Sequence, residues 1–82
     1  MNLSKIDIII LKDLENKNKT NFLKSISLKE LIVYQNSLIK SNSIYKRLNN
    51  LKNQGLVQLG AKYGKMNTYY ITELGIQILN KL

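Results

Sequence analysis

Between Gly55 and Thr72 the apolar pattern of this chain changes its period, and that change constrains the fold more than any other feature of its 82 residues. Upstream of Gly55, apolar residues recur at the spacing of one face of a helix. Downstream come Leu56 to Leu59 and Asn67 to Ile71, two short runs separated by Gly60-Ala-Lys-Tyr-Gly-Lys-Met66. Two such runs around a glycine-bearing tip predict a β-hairpin. Gly55 suits the position that ends a helix. Thr72 caps a last helix, Glu73 to about Lys81, in which Leu74, Ile78 and Leu79 are the apolar residues and Glu73 complements the positive N-terminus. The expected class is α+β.

The upstream half reads as three helices. Ser4 and Asp7 form a capping-box pattern that opens a helix over Lys5 to Asn16, with Ile6, Ile9, Ile10 and Leu14 on its core face. Ile8 and Leu11 lie on another side, so this helix is either central to the fold or buries a second face in a homodimer. Asn16 to Asn21 is a polar loop, and Phe22, Leu23 and Ile26 follow as a short apolar extended piece. Ser27 and Glu30 form a second capping box, beginning a helix through Gln35 with Leu28, Leu31 and Ile32 inward. A turn is expected over Asn36 to Lys40. The third helix, from Ser41 or Asn42 to Asn53, carries one narrow stripe: Ile44, Leu48 and Leu51. Asn42, Lys46, Asn49 and Asn53 point away from it, with Ser43 and Asn50 on one flank and Tyr45 and Lys52 on the other. No repeat or linker interrupts the pattern, which predicts a single domain over residues 1–82.

Composition narrows the chemistry. There is no Cys or His, which excludes thiol nucleophiles, imidazole bases and the usual zinc, haem and iron–sulfur ligand sets. Five carboxylates exist; Asp7, Asp13, Glu15, Glu30 and Glu73 fall at caps or beside lysines, with no close pair for acid–base work and no glycine loop for phosphate. The expectation is a protein that is not an enzyme and holds no metal or cofactor. No run approaches the roughly eighteen apolar residues a membrane span requires, and no signal-peptide pattern opens the chain, so a cytoplasmic location is expected. Nor does so small a core predict a small-molecule pocket.

The net charge is +8, from thirteen basic and five acidic residues. That field attracts polyanions. Arg47 is the sole arginine, however, and Lys, Asn, Ile and Tyr are all abundant, so an AT-rich genome accounts for part of the excess. The distribution says more: from Asn36 through Ile71, across the third helix and the hairpin, there is no acidic residue.

The order of elements and two motifs then resemble a known family. Ser43-Ile-Tyr-Lys-Arg-Leu-Asn-Asn-Leu-Lys-Asn-Gln-Gly-Leu-Val57 is similar to the recognition helix of winged helix-turn-helix DNA-binding domains. Thr68-Tyr-Tyr-Ile-Thr-Glu-Leu-Gly75 is similar to the segment closing the wing in MarR- and PadR-type bacterial regulators. The stretch from Leu31 to Ile44 is longer than the usual helix-turn-helix spacing, and the long terminal helices by which those regulators dimerise have no counterpart in these residues. The resemblance implies a three-helix core, a hairpin wing and a short C-terminal helix, acting on double-stranded DNA. A helix fits the major groove, Asn pairs with adenine and Lys reaches guanine acceptors. The implied contacts on the third helix are Ser41, Asn42, Ser43, Tyr45, Lys46, Arg47, Asn49 and Asn50. Arg47, at the edge of the apolar stripe, can equally lie along the domain surface. In the wing they are Lys62, Tyr63, Lys65 and Asn67, on backbone or in a minor groove. The expected role is transcriptional control in a bacterium, phage or plasmid. An accessory factor marking an origin of plasmid replication or conjugative transfer, and a protein–protein interaction module, are the rivals.

Overall fold

The computed structural model describes residues 3–36 and 39–82. The chain runs α1 (Lys5–Asn16), a single 3₁₀ turn (Leu28–Glu30), α2 (Ile32–Gln35), α3 (Ser41–Asn53), β1 (Val57–Leu59), β2 (Tyr69–Ile71) and α4 (Glu73–Asn80). This is the α+β, winged-helix arrangement that the periodicity and the motifs predict. The described residues share one core, built on Ile10, Leu11, Leu14, Leu31, Val33, Ile44, Leu48, Leu51, Leu56, Val57, Tyr69 and Ile71. Among the described residues no helix is long and apolar enough to cross a membrane.

The ends of α1 follow from local chemistry. The Ser4 hydroxyl accepts the Asp7 N–H at 3.2 Å while the Asp7 carboxylate accepts the Ser4 N–H at 2.9 Å, closing the expected capping box. At the far end Asn18 takes a left-handed conformation (φ 58°), and the Lys19 and Asn18 N–H groups close on the Leu14 and Glu15 carbonyls. The same arrangement ends α3. Gly55 sits at φ 80°, with Leu56 N–H on the Leu51 carbonyl and Gly55 N–H on that of Lys52. Leu51 and Leu56 are both fully buried, the apolar contact that accompanies this cap.

The structure refines three sequence expectations. Of the two placements open to the second side of α1, Leu11 takes the central one: it is fully buried with Ile10 and Leu14, while Ile6, Ile8 and Ile9 are only half-buried. The sheet and three other helices surround α1, so its core face is wider than one stripe, and Leu11 is withdrawn from any dimer surface. The second helix is broken. Leu31 is extended (φ −72°, ψ 144°) between the 3₁₀ turn and α2, which shifts the helical phase: Leu31 and Val33 face inward, and Ile32 is 41% exposed. In α4, Gly75 and Leu79 are the buried residues and Leu74 is exposed; the Leu56 carbonyl occupies the space a side chain at Gly75 would need.

The extended piece also departs from expectation. Phe22 and Leu23 are exposed; only Ile26 is buried, exchanging N–H···O bonds of 3.0 and 2.7 Å with Tyr69 on the free edge of β2. The other edge of β2 pairs antiparallel with β1, in the register Val57 to Ile71, Gln58 to Tyr70 and Leu59 to Tyr69. The turn expected over Asn36 to Lys40 lies partly outside the described residues.

The break in the second helix is held by Asp13. Its buried carboxylate accepts the Ile32 N–H at 2.8 Å and the Lys17 ammonium at 3.2 Å; Lys17 also reaches the Glu30 carbonyl at 2.8 Å. Replacing Asp13 by Ala strands that N–H and releases Lys17. We expect a loss of about 1–3 kcal/mol, measured by urea unfolding; a loss below about 0.5 kcal/mol would mean that water replaces the carboxylate fully.

Candidate nucleic-acid interface

Most of the third-helix residues that the sequence assigns to DNA are exposed on α3. Ile44, Leu48 and Leu51 anchor α3 in the core. Ser41, Asn42, Ser43, Tyr45, Lys46 and Asn50 are exposed, and Asn49 is half-buried. The helix opens at Lys40 without a side-chain cap and has no acidic residue in its first turn. Among the described residues no cap side chain or acid of the first turn compensates its positive end, an arrangement that favours an anion.

Tertiary structure adds residues to this face. Tyr45, Ser41 and Asn42 border a hollow of about 260 Å³ shared with Leu28, Lys29 and Tyr34 from the segment before α3. Lys29 and Tyr34 carry no sequence signal of this kind. They arrive beside α3 only because the chain breaks at Leu31.

Arg47 lies on the other flank. Its guanidinium approaches the Asp7 carboxylate of α1 at 3.8 Å, so of the two roles open to it the structure displays the surface one. Asp7 is nearly inaccessible, and its second oxygen has no hydrogen-bond partner among the described residues. Arg47 approaches the oxygen that also accepts the Ser4 N–H, and the negative charge of a buried carboxylate favours a cation beside it.

The wing is built by a two-residue turn. Tyr63 and Met66 pair across Gly64-Lys65, with Gly64 at φ 61° and Lys65 at a negative φ, the signature of a type II′ turn. Between this tip ladder and the Gly60–Thr68 hydrogen bond, Ala61 and Lys62 oppose Asn67 alone, a bulge that bends the hairpin. Lys62, Tyr63 and Lys65 are exposed. Asn67 is not free in the same sense: it is half-buried. Thr68 is buried, its hydroxyl bonded to Ser25 and to the Ala61 carbonyl. The base of the wing is thus pinned to the core, and its tip projects. Thr72 ties the end of α3 to the start of α4, donating to the Gly55 carbonyl at 2.6 Å and accepting the Gly75 N–H at 3.0 Å.

No family model matches the chain, and no curated protein matches it. Among solved structures it is similar to TubR from Bacillus megaterium pBM400, at 23% sequence identity and a TM-score of 0.82, over 96% of this chain and 84% of that one. At that identity the likeness is one of fold, and it covers the helical core, the wing and α4 together.

Burial raises the pKa of the Tyr69 phenol above its ordinary 10.0; nearby Tyr45 adds to the shift and the Asn67 side chain opposes it. A phenol that holds its proton more tightly when folded contributes stability that is complete below the unfolded value and declines as pH rises through the folded one. Unfolding free energy should therefore fall above about pH 10 more steeply in the wild type than in Tyr69→Phe. Identical alkaline slopes in denaturant titrations would remove Tyr69 from the effect.

Proposed function

We propose that this chain is a sequence-specific double-stranded DNA-binding protein, a small transcriptional regulator of a bacterium, phage or plasmid acting in the cytoplasm and performing no catalysis. The observation that carries the reading is the pairing of an uncapped, acid-free α3 with a projecting lysine-bearing wing on a winged-helix frame. The N-terminal half of α3 enters the major groove, where Asn42, Lys46 and Asn49 meet base edges and Ser43, Tyr45 and Asn50 meet edges or nearby phosphates. Lys62 and Lys65 follow the backbone or enter the adjacent minor groove. Lys29, beside Asn42 in the hollow, joins as a phosphate contact. The motif likeness to MarR- and PadR-type regulators supports the transcriptional role. Footprinting separates it from an origin-marking accessory factor: a protected promoter favours the regulator, clustered repeats at an origin favour the other.

A homodimer reading half-sites related by two-fold symmetry fits this use. With Leu11 in the core, the half-buried Ile8 edge of α1 is the surface that remains from the sequence expectation. Sedimentation should show Ile8→Glu as a monomer with wild-type circular dichroism; a folded variant with unchanged mass would exclude this edge.

Replacing Lys62 and Lys65 together by Ala should weaken binding to every DNA sequence and lower the slope of log K against log salt by about 0.9 for each phosphate no longer neutralised. Replacing Asn42, Lys46 or Asn49 by Ala should weaken the specific site by roughly 1–3 kcal/mol and random DNA by much less. Equal losses on both would demote these residues to non-specific contacts. Absence of DNA binding even at low ionic strength would overturn the reading and leave a protein-interaction module in its place.

A further inference from the structure

The segment between α1 and the 3₁₀ turn carries apolar side chains into water. Leu23 is 83% exposed and Phe22 54%. The loop that bears them is nonetheless tightly held. The Asn21 side-chain oxygen accepts the N–H groups of Leu23 and Lys24 at 3.1 and 2.9 Å. The Phe22 carbonyl accepts the Ala61 N–H at 3.0 Å and the Ser25 hydroxyl at 3.1 Å. Hydrogen bonds, not apolar packing, fix this loop, so its two large side chains are presented without being used by the fold.

Across from Leu23 stands one face of the wing. Tyr63, 78% exposed, and Met66 are opposite one another in the tip ladder, so their side chains share a side. Between loop and wing lies a groove of about 560 Å³, floored by Leu23, Ile26, Tyr63 and Met66 and lined also by Lys19 and Lys62. Among the described residues Glu30 is the one acid in its wall, and its carboxylate is engaged by the Ser27 N–H at 3.3 Å. None of the described residues of α3 lines the groove.

A preformed concave surface with apolar side chains on its floor, and two lysines against the single Glu30 carboxylate on its described walls, is a peptide-docking geometry. Exposed apolar groups concentrated on one rigid loop mark an interaction site more often than scattered single ones do. The two lysines select the sign of the partner. We propose that this groove docks a short acidic peptide segment of another protein, with an apolar side chain between Leu23 and Tyr63 and carboxylates on Lys19 and Lys62. The site overlaps the DNA reading at Lys62 and Tyr63, both expected wing contacts, so the test turns on Leu23.

The full chain is titrated with three labelled peptides of about twelve residues. One combines Asp and Glu with Leu and Phe; the second has Ser in place of the apolar residues; the third has Gln in place of the acids. The first should bind and shift the backbone amide resonances of Leu23, Ser25 and Tyr63, and the other two should bind at least about tenfold more weakly. Leu23→Ser, an exposed position, should keep the fold by circular dichroism, weaken the first peptide about tenfold and leave the DNA salt titration unchanged. Equal binding of the acidic Ser peptide would reduce the effect to attraction of any polyanion by a +8 chain and overturn the proposal. It would also be overturned by wild-type affinity in Leu23→Ser, by resonances shifting on α3 instead, or by no binding of any peptide. Weaker DNA binding in Leu23→Ser would move Leu23 into the nucleic-acid surface, with the same consequence for the peptide site.

Discussion

The carboxylate of Asp13 fixes the geometry on which the rest of the molecule depends. It is nearly inaccessible, and a charge in that position persists only where polar partners surround it. Its partners are the first N–H of α2 and the ammonium of Lys17, which in turn holds the Glu30 carbonyl. Three segments are tied together: the end of α1, the 3₁₀ turn and the start of α2. The extended conformation of Leu31 is possible because the N–H group that would otherwise be stranded after it finds this acceptor. From there follow the inward turn of Val33, the outward turn of Ile32 and the position of Tyr34 beside α3.

A second set of ties places the wing relative to α3. Ile26 and Tyr69 pair at the free edge of β2, Thr68 holds Ser25 and Ala61, and Thr72 joins the end of α3 to the start of α4. Most of these bonds involve buried or half-buried groups, where an unpaired polar atom is costly. The hairpin is therefore stiff at its root. Its tip is left to Tyr63, Lys65 and a two-residue turn. One consequence is that the Tyr63–Met66 face of the wing, with Lys62, borders the groove beside the loop of Leu23.

The charge distribution gains a meaning from the fold. Asp7 and Asp13 lie inside the molecule, neutralised locally by Arg47 and Lys17. The positive excess is thereby left on the surface, while α3 and the wing carry no carboxylate at all. The potential that attracts a polyanion thus arises from where the acids are placed as much as from the number of lysines.

Periodicity and capping made much of the fold legible before any coordinates. The extents of α1 and α3, the Gly55 cap, the hairpin and the Thr72 cap are local matters, decided by residues within one or two turns of each other. The outward face of α3 was legible for the same reason, since a single narrow stripe leaves one way to turn the helix. What tertiary structure alone decided are the features that depend on distant partners. Leu11 faces inward because the sheet and three other helices surround α1. The second helix breaks because Asp13 is there to receive Ile32. Arg47 leans toward Asp7, which lies far from it in sequence. The Leu23 groove exists because hydrogen bonds from Asn21 and Ala61 hold a loop that its apolar residues alone would have drawn inward. A hydrophobic pattern records which side of an element is buried against its neighbours on average; it does not record which buried polar group finds which partner.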